Sequence, residues 1–379
     1  MIDHPNLSMD ALDLVDPTSA VSEGILLASS INEILVIDPM TGEEIGEIAD
    51  SCAADADIAV KRARVHAESG RWGQLTGSER GLLLDRLADI LEGHADAFAE
   101  IGTLESGTPT KFSRHTHIEK PLELVHAAVI RSADLANTTQ PATQVEVAIV
   151  GYHQPLTFTL LTVAHALAQG NPSIVVPSPL APLATIAFMN CLLEADFPKG
   201  AVQLVLGSPA AIEPILTGEK TERIAVSLPE IMTAEMVPIS MEIETMSEEE
   251  AVSFIRKALL GYASEPGRIP GVSRLKVSTN NSDKLRSAVE GALDSVVVGD
   301  PWGTATDVGP LIRPSELGNM AAYLEHMRDL GAIVRTGSGS KDSAVYPVPA
   351  VIVGIQDACT VVNRALCAPV ITILELDKN

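Results

Sequence analysis

Aromatic residues make up only 3% of the 379-residue chain, and there are four cysteines. With so few aromatics, any core has to be built from Ala, Val, Ile and Leu, and the 46% hydrophobic content supplies them. Cys52, Cys191, Cys359 and Cys367 fall into no CxxC spacing. That excludes the common zinc and dithiol motifs and fits a reducing, cytoplasmic compartment. Positive charge is scarce: 26 Lys and Arg stand against 50 Asp and Glu, a net charge of -24. Such a surface repels phosphate backbones and anionic headgroups, which argues against nucleic-acid and membrane partners. No apolar run reaches the ~18 residues of a spanning helix. The opening Met1-Ile2-Asp3-His4 lacks the basic n-region of a secretory signal. Generic catalytic signatures are missing as well: there is no GxGxxG after a strand, no GxxxxGK[ST], no GxSxG and no HExxH. His115 and His117 are the only close histidine pair, and no Cys or carboxylate completes a ligand set, so that segment reads as surface rather than a metal site.

What remains is periodicity. Residues 1–30 read as an acidic tail. Residues 31–37 are β-prone and end in the turn residues Asp38-Pro39-Met40-Thr41-Gly42. Residues 54–68 and 82–101 carry apolar residues at helical spacing, the second run with Thr76 as its candidate cap. From 145 onward the chain alternates: strand 145–150, helix 156–168 stopped at Gly170, strand 173–176, helix 182–194, strand 202–206, helix 210–216, strand 224–226. Strands that are apolar on both faces and alternate with helices imply a parallel sheet covered on both sides. Beyond about Ser240 the alternation resumes, with helices at 248–262, 285–298 and 321–330 and strands at 275–278 and near Ile333 and Val351. The expected organisation is a Rossmann-like unit over 31–240 and a second α/β unit over 241–379.

Several strings, in order, resemble the aldehyde dehydrogenase superfamily. They begin with Asp38-Pro39-x-Thr41-Gly42-Glu43 and Asp57-x-Ala59-Val60, followed by Trp72 and Glu79-Arg80-x-Leu82-Leu83. Glu105-Ser106-Gly107-x-Pro109, Ala166-Leu167-Ala168-x-Gly170-Asn171 and Phe197-Pro198-x-Gly200 come next, then Gly299-Asp300-Pro301 and Thr306-Asp307-Val308-Gly309-Pro310-Leu311-Ile312. The resemblance implies a Rossmann-like nucleotide-type domain followed by a catalytic-type α/β domain. It also implies a chemistry: a cysteine thiolate attacks an aldehyde, an asparagine helps hold the oxyanion, NAD(P) takes hydride and a glutamate activates water.

Matched position by position, the catalytic and cofactor residues of that chemistry are largely replaced. The nucleophile string is matched by Gly267-Arg268-Ile269-Pro270-Gly271-Val272-Ser273-Arg274, which is one residue short and has Pro270 or Gly271 where the cysteine belongs. His153, in Gly151-Tyr152-His153-Gln154-Pro155, stands at the oxyanion asparagine. Val176 and Pro179 replace the lysine and glutamate that hold the adenosine ribose. In Val226-Ser227-Leu228-Pro229, Ser227 is followed by Leu228 and Pro229 where the resemblance implies a glycine and a serine near the pyrophosphate; Leu228 fills the space the glycine would leave open, and Pro229 removes an N–H donor. Glu242, in Ser240-Met241-Glu242-Ile243, is a candidate for the water-activating glutamate, although the glycines that should follow are absent. Ala365 replaces the glutamate of the nicotinamide ribose. The stretch 137–146 is short for the family's oligomerisation hairpin, and the chain ends 14 residues after Ala365. A C-terminally truncated catalytic domain with exposed apolar surface is therefore expected.

The leading expectation is a pseudoenzyme with no cofactor, acting as scaffold or regulator for a protein partner, with an intact relative as the candidate. The alternative is an NAD- or NADP-dependent oxidoreductase of altered chemistry that uses His153 and Glu242. A third, decay without a selected role, predicts rapid proteolysis.

Overall fold

The computed structural model describes all residues except 1, 3, 25, 28, 30–31, 70, 137–143, 207–214, 216–222, 228–238, 265–272, 339–344, 355–367 and 377–379. The chain divides into two compact units. The first comprises Met1–Asp38, Gly42–Ser106 and Ser113–Leu228; the second comprises Pro39–Thr41, Gly107–Phe112 and Pro229–Asn379. A linear reading placed one boundary near 240. It could not show that two short stretches within the first half belong to the second unit, because nothing local marks a segment that leaves and returns.

The helices of the first unit are α1 (Met9–Val15), α2 (Thr18–Ser22), α3 (Ala53–Ser69), α4 (Arg71–Gln74), α5 (Gly77–Gly93), α6 (Ala95–Ser106), α8 (Lys120–Asp134), α9 (Pro155–Gln169) and α10 (Leu183–Glu194), while α7 (Thr110–Arg114) begins in the second unit's segment Gly107–Phe112 and ends in the first. Its main sheet holds β1 (Leu26–Leu27), β4 (Glu146–Val150), β5 (Ser173–Pro177), β6 (Val202–Val205) and β7 (Arg223–Ser227) in the order β1-β6-β5-β4-β7, with every pairing parallel. β2 (Glu33–Ile37) and β3 (Glu44–Ala49) form a separate antiparallel ribbon. Every residue of β4, β5 and β6 is buried, as strands covered on both faces must be. β4, β5, β6 and β7 lie as first, second, third and fourth strands in the order 3-2-1-4, so the chain reverses direction across the sheet between β4 and β7.

Residues 1–30 are not a tail. Ser8 Oγ accepts from the Ala11 amide at 3.2 Å to cap α1, whose Ala11, Leu14 and Val15 are buried. Asn190 Nδ2, on α10, donates to the carbonyls of Leu14 at 2.8 Å and Asp16 at 2.9 Å. β1 then extends the sheet beside β6, with Leu26 opposite Leu204. The segment is short of helical length by itself, so docking against α10 and β6 orders it.

The expected single run 82–101 is two helices, α5 and α6, that meet at His94. Thr76 caps α5 through a reciprocal capping box with Glu79. Several family-like strings prove to be joints. Trp72 is fully buried, donates its indole N–H to the Leu167 carbonyl at 3.0 Å and stacks on Phe197 with ring centroids 5.0 Å apart. Arg80, also fully buried, donates to the Ala168 carbonyl at 3.2 Å and the Leu75 carbonyl at 2.6 Å. These donors satisfy the last carbonyls of α9, which Gly170 closes at φ 85°.

The second unit holds β8 (Ile239–Glu242), α11 (Glu248–Ser264), β9 (Ser273–Ser278), α12 (Ser282–Asp294), α13 (Pro314–Asp329), β10 (Ile333–Thr336), β11 (Ala350–Val353) and β12 (Val370–Leu376). The sheet order is β10-β11-β12-β9-β8, parallel except for the antiparallel β10 edge. Leu275, Val277, Ile371 and Ile373 from β9 and β12 pack with Ile255 and Leu259 of α11 and Leu285 and Val289 of α12. Gly107 and Gly309 meet in this unit: a Cβ on Gly309 would sit 2.0 Å from the Gly107 carbonyl oxygen, and one on Gly107 2.6 Å from the Pro310 carbonyl oxygen. That approach explains a glycine in both the Glu105–Pro109 and Thr306–Ile312 strings.

Candidate functional site

In a parallel sheet all strands finish at one edge, and a crevice opens where the strand order reverses. Here that edge carries the loops after β4, β5 and β7: Val150 pairs with both Pro177 and Ser227. It therefore collects most of the described positions that the sequence singled out. His153 lies between β4 and α9, Val176 and Pro179 at and after the end of β5, and Ser227 at the end of β7. Leu228, Pro270 and Ala365 fall outside the described residues. Glu242, exposed at the end of β8 with its carbonyl accepting from Thr245 Oγ1 at 2.9 Å, belongs to the second unit.

The loop before α9 is turned sharply. Gln154 adopts φ 50°, ψ 56°, a left-handed conformation that a non-glycine residue takes rarely, and its side chain is buried. Pro155 then starts the helix where its missing N–H is not needed. Gln154 Nε2 lies 3.3 Å from His153 Nε2, which aligns the half-buried imidazole. Desolvation pushes the His153 pKa down to about 4, so the ring is neutral at pH 7 and offers one N–H donor and one acceptor.

Behind this loop lies a feature the sequence did not disclose. His115-Thr116-His117, expected at the surface, belongs to a π-helical turn (His115–Glu119) between α7 and α8, and Thr116 and His117 are buried. Such insertions widen the helix by one residue and turn a side chain inward. The His117 ring packs on Gly102, where a Cβ would lie 2.3 Å from its Cγ. Ser106 Oγ donates to the Gly102 carbonyl at 2.5 Å and lies 3.4 Å from His117 Nε2. Thr157 Oγ1 of α9 donates to the Thr116 carbonyl at 3.0 Å. Burial, and then the nearby His153 charge, push the His117 pKa down to about 3. The only sequence hint of this pair was the small Gly102 four residues before Ser106.

Glu105, one residue from Ser106, is fully enclosed. Its carboxylate accepts the backbone N–H groups of Leu183 at 2.7 Å and Ala184 at 3.2 Å, capping α10 from a distance in sequence. Burial raises its pKa to about 8, partly opposed by those two amides.

The two positions that the resemblance matches to the adenosine-ribose contacts, Val176 and Pro179, carry apolar side chains. Val176 is buried in a cluster with Ala56, Val60, Val147, Ile149 and Ile174, and Pro179 is half-buried. Neither can hydrogen-bond a ribose hydroxyl. Among the described cysteines, Cys191 is buried in α10 with its thiol pushed up by desolvation, and Cys52 lies at the start of α3. Among the described residues no His, Cys, Asp and Glu cluster forms a metal site, and no helix is long and apolar enough to cross a membrane.

A doubly wound, nucleotide-type α/β unit joined to a second parallel α/β unit is the class these features define. The aldehyde dehydrogenase family profile matches residues 26–227 and 251–379. The chain belongs to the aldehyde dehydrogenase family. It is 26% identical over 374 residues to betaine aldehyde dehydrogenase of Cereibacter sphaeroides, covering 91% of this chain and 77% of that protein. It is 26% identical over 370 residues to the mitochondrial aldehyde dehydrogenase of Homo sapiens, covering 89% and 72%. An aldehyde dehydrogenase from Bacillus cereus, solved in complex with NAD+, superposes with a TM-score of 0.82 at 23% identity over 93% of this chain and 78% of that one.

Proposed function

We propose that this chain is a non-catalytic member of its family that acts as a scaffold or regulatory partner for another protein, with an intact relative as the candidate. One observation carries the reading: no cysteine occurs between Cys191 and Cys359, so the string matched to the nucleophile holds no thiol. Without a thiolate there is no covalent adduct from which hydride can leave. Loss of a nucleophile alone commonly costs ~10⁶ in rate in well-studied hydrolases. Apolar Val176 and Pro179 at the carboxyl edge support it, since the adenosine-ribose contacts implied by the resemblance have no donors or acceptors there. The ribose of NAD or NADP finds no side-chain partner at these two positions.

The neutral His153 on the carboxyl edge favours a second reading, an oxidoreductase of altered chemistry that keeps a nicotinamide cofactor. In it His153 donates a hydrogen bond to a substrate oxygen.

One set of measurements separates the two. The first reading expects no thermal shift with millimolar NAD+ or NADP+ and no nicotinamide reduction with short-chain, aromatic or betaine aldehydes. It expects light scattering to show a hetero-complex when an intact relative is added. Reduction of nicotinamide would overturn it, and so would a chain that stays monomeric with every relative offered. A cofactor shift alone, a few kcal/mol at about a hundred times Kd, would move the balance to the second reading.

A further inference from the structure

The carboxyl edge of the first sheet is not its only concave end. Gly24 leads into β1, and Lys199 and Gly200 lead toward β6, its parallel neighbour, so these residues gather at the opposite, amino edge. Lys61, Arg62 and His66 of α3, with Glu23, Lys199 and Gln203, line a cavity of about 700 Å³ there, within the usual size of small-molecule sites.

Three observations give this cavity a chemistry. The first is charge: three cations face one carboxylate, a local excess of two positive charges on a chain whose net charge is -24. Glu23 is ion-paired with Lys199. The second is a held guanidinium. Arg62 Nη1 donates to the Gly24 carbonyl at 2.7 Å, which fixes the group, and among the described residues its remaining N–H donors have no acceptor. The third is a pair of enclosed polar side chains with unmade bonds. His66 is 9% exposed and Gln203 1% exposed. His66 Nε2 and Gln203 Oε1 are buried with no hydrogen-bond partner among the described residues, while Gln203 Nε2 donates to the Val202 carbonyl at 3.3 Å. Desolvation lowers the His66 pKa, so the ring is neutral. Both atoms are closed off from the open cavity, so they form a dry polar wall behind it and not a contact surface. Gly200, at φ 96°, leaves the space: a Cβ there would come within 3.1 Å of His66 Nδ1.

We propose that this pocket binds a small phosphate-bearing molecule. Phosphate oxygens match the Lys61 ammonium and the Arg62 fork, the two exposed cations of the lining that are not in an ion pair with Glu23. The site is remote from the family's cofactor edge and independent of whether the chain is catalytic.

The test is titration calorimetry of the full chain at constant ionic strength, with chloride as the reference anion. Inorganic phosphate and glycerol 3-phosphate are the two probes. Saturable one-to-one binding is expected with at least one of them; tighter binding of the ester identifies a phosphate monoester, and equal binding identifies the free anion. Lys61→Gln and Arg62→Gln are each expected to weaken it about tenfold, one charge-assisted hydrogen bond in size. Lys61 is exposed, so Lys61→Gln tests the site without a folding effect. Saturating NAD+ is expected not to compete. Absence of saturable heat for both probes would overturn the proposal, as would unchanged affinity in Lys61→Gln or competition by NAD+.

Discussion

Replacing Asp307 by alanine is expected to destabilise the second unit by about 2–3 kcal/mol. Asp307 is 1% exposed, and its carboxylate gathers three donors: Lys111 Nζ at 2.5 Å, Arg256 Nη2 at 2.5 Å and the Val297 amide at 2.8 Å. Burial alone would raise its pKa. Lys111, the Val297 amide and Arg256 together outweigh that and hold it below the usual carboxylate range. Bonds to charged groups contribute roughly 1.5–3 kcal/mol each where the partner is left dry. Lys111 and Arg256 keep side-chain exposures of 28% and 36%, so water recovers much of their loss and the sum must be discounted. The loss centres on the amide and on the tie between Lys111, whose segment joins this unit from within the first half of the chain, and α11. A folded pKa below the unfolded one makes the contribution fully present above about pH 4 and lost as pH falls through the folded value. Urea unfolding followed by tryptophan fluorescence reports this, since Trp302, the only tryptophan of this unit, lies five residues from Asp307. At pH 7 the variant should lose about 2–3 kcal/mol, and the gap should narrow as pH falls below the usual carboxylate range. A loss under about 0.5 kcal/mol, or one that does not shrink in acid, would refute the reasoning.

Glu105 predicts the opposite slope. With a folded pKa raised to about 8 from 4.5, the native state holds a proton that the unfolded chain has released, so stability falls as pH rises between those values. Glu105→Gln, which keeps an acceptor for the Leu183 and Ala184 amides, is expected to flatten the decline; thermal melts from pH 5 to 9 check it, and parallel profiles would count against a protonated Glu105. Gly309→Ala places a methyl group on the Gly107 carbonyl oxygen and is expected to cost about 1–3 kcal/mol, read by the same urea titration, whereas a neutral effect would mean the two strings do not meet as described.

The buried strands β4, β5 and β6, the helices between them and the capping box at Thr76 were legible because each depends on neighbours in sequence. Apolar runs, a stop at Gly170 and a Thr-x-x-Glu spacing act within a turn or two. The side-chain chemistry of Val176, Pro179 and His153 is equally open to reading, because a residue's donors and acceptors do not depend on where it folds.

Tertiary structure decided the rest. Nothing local in residues 1–30 announces an ordered element; α10 and β6 supply the partners for α1 and β1. His115-Thr116-His117 has a polar composition, yet one π-helical turn carries His117 against Gly102 and within the field of His153. The pocket at the amino edge joins residues from before β1, within α3 and around the start of β6, and Gly107 meets Gly309 across some two hundred residues. Composition and short-range pattern set what each segment is able to form. Which distant groups share a cavity, an ion pair or a carbonyl contact depends on chain reversals whose cost is met only once the whole core is packed.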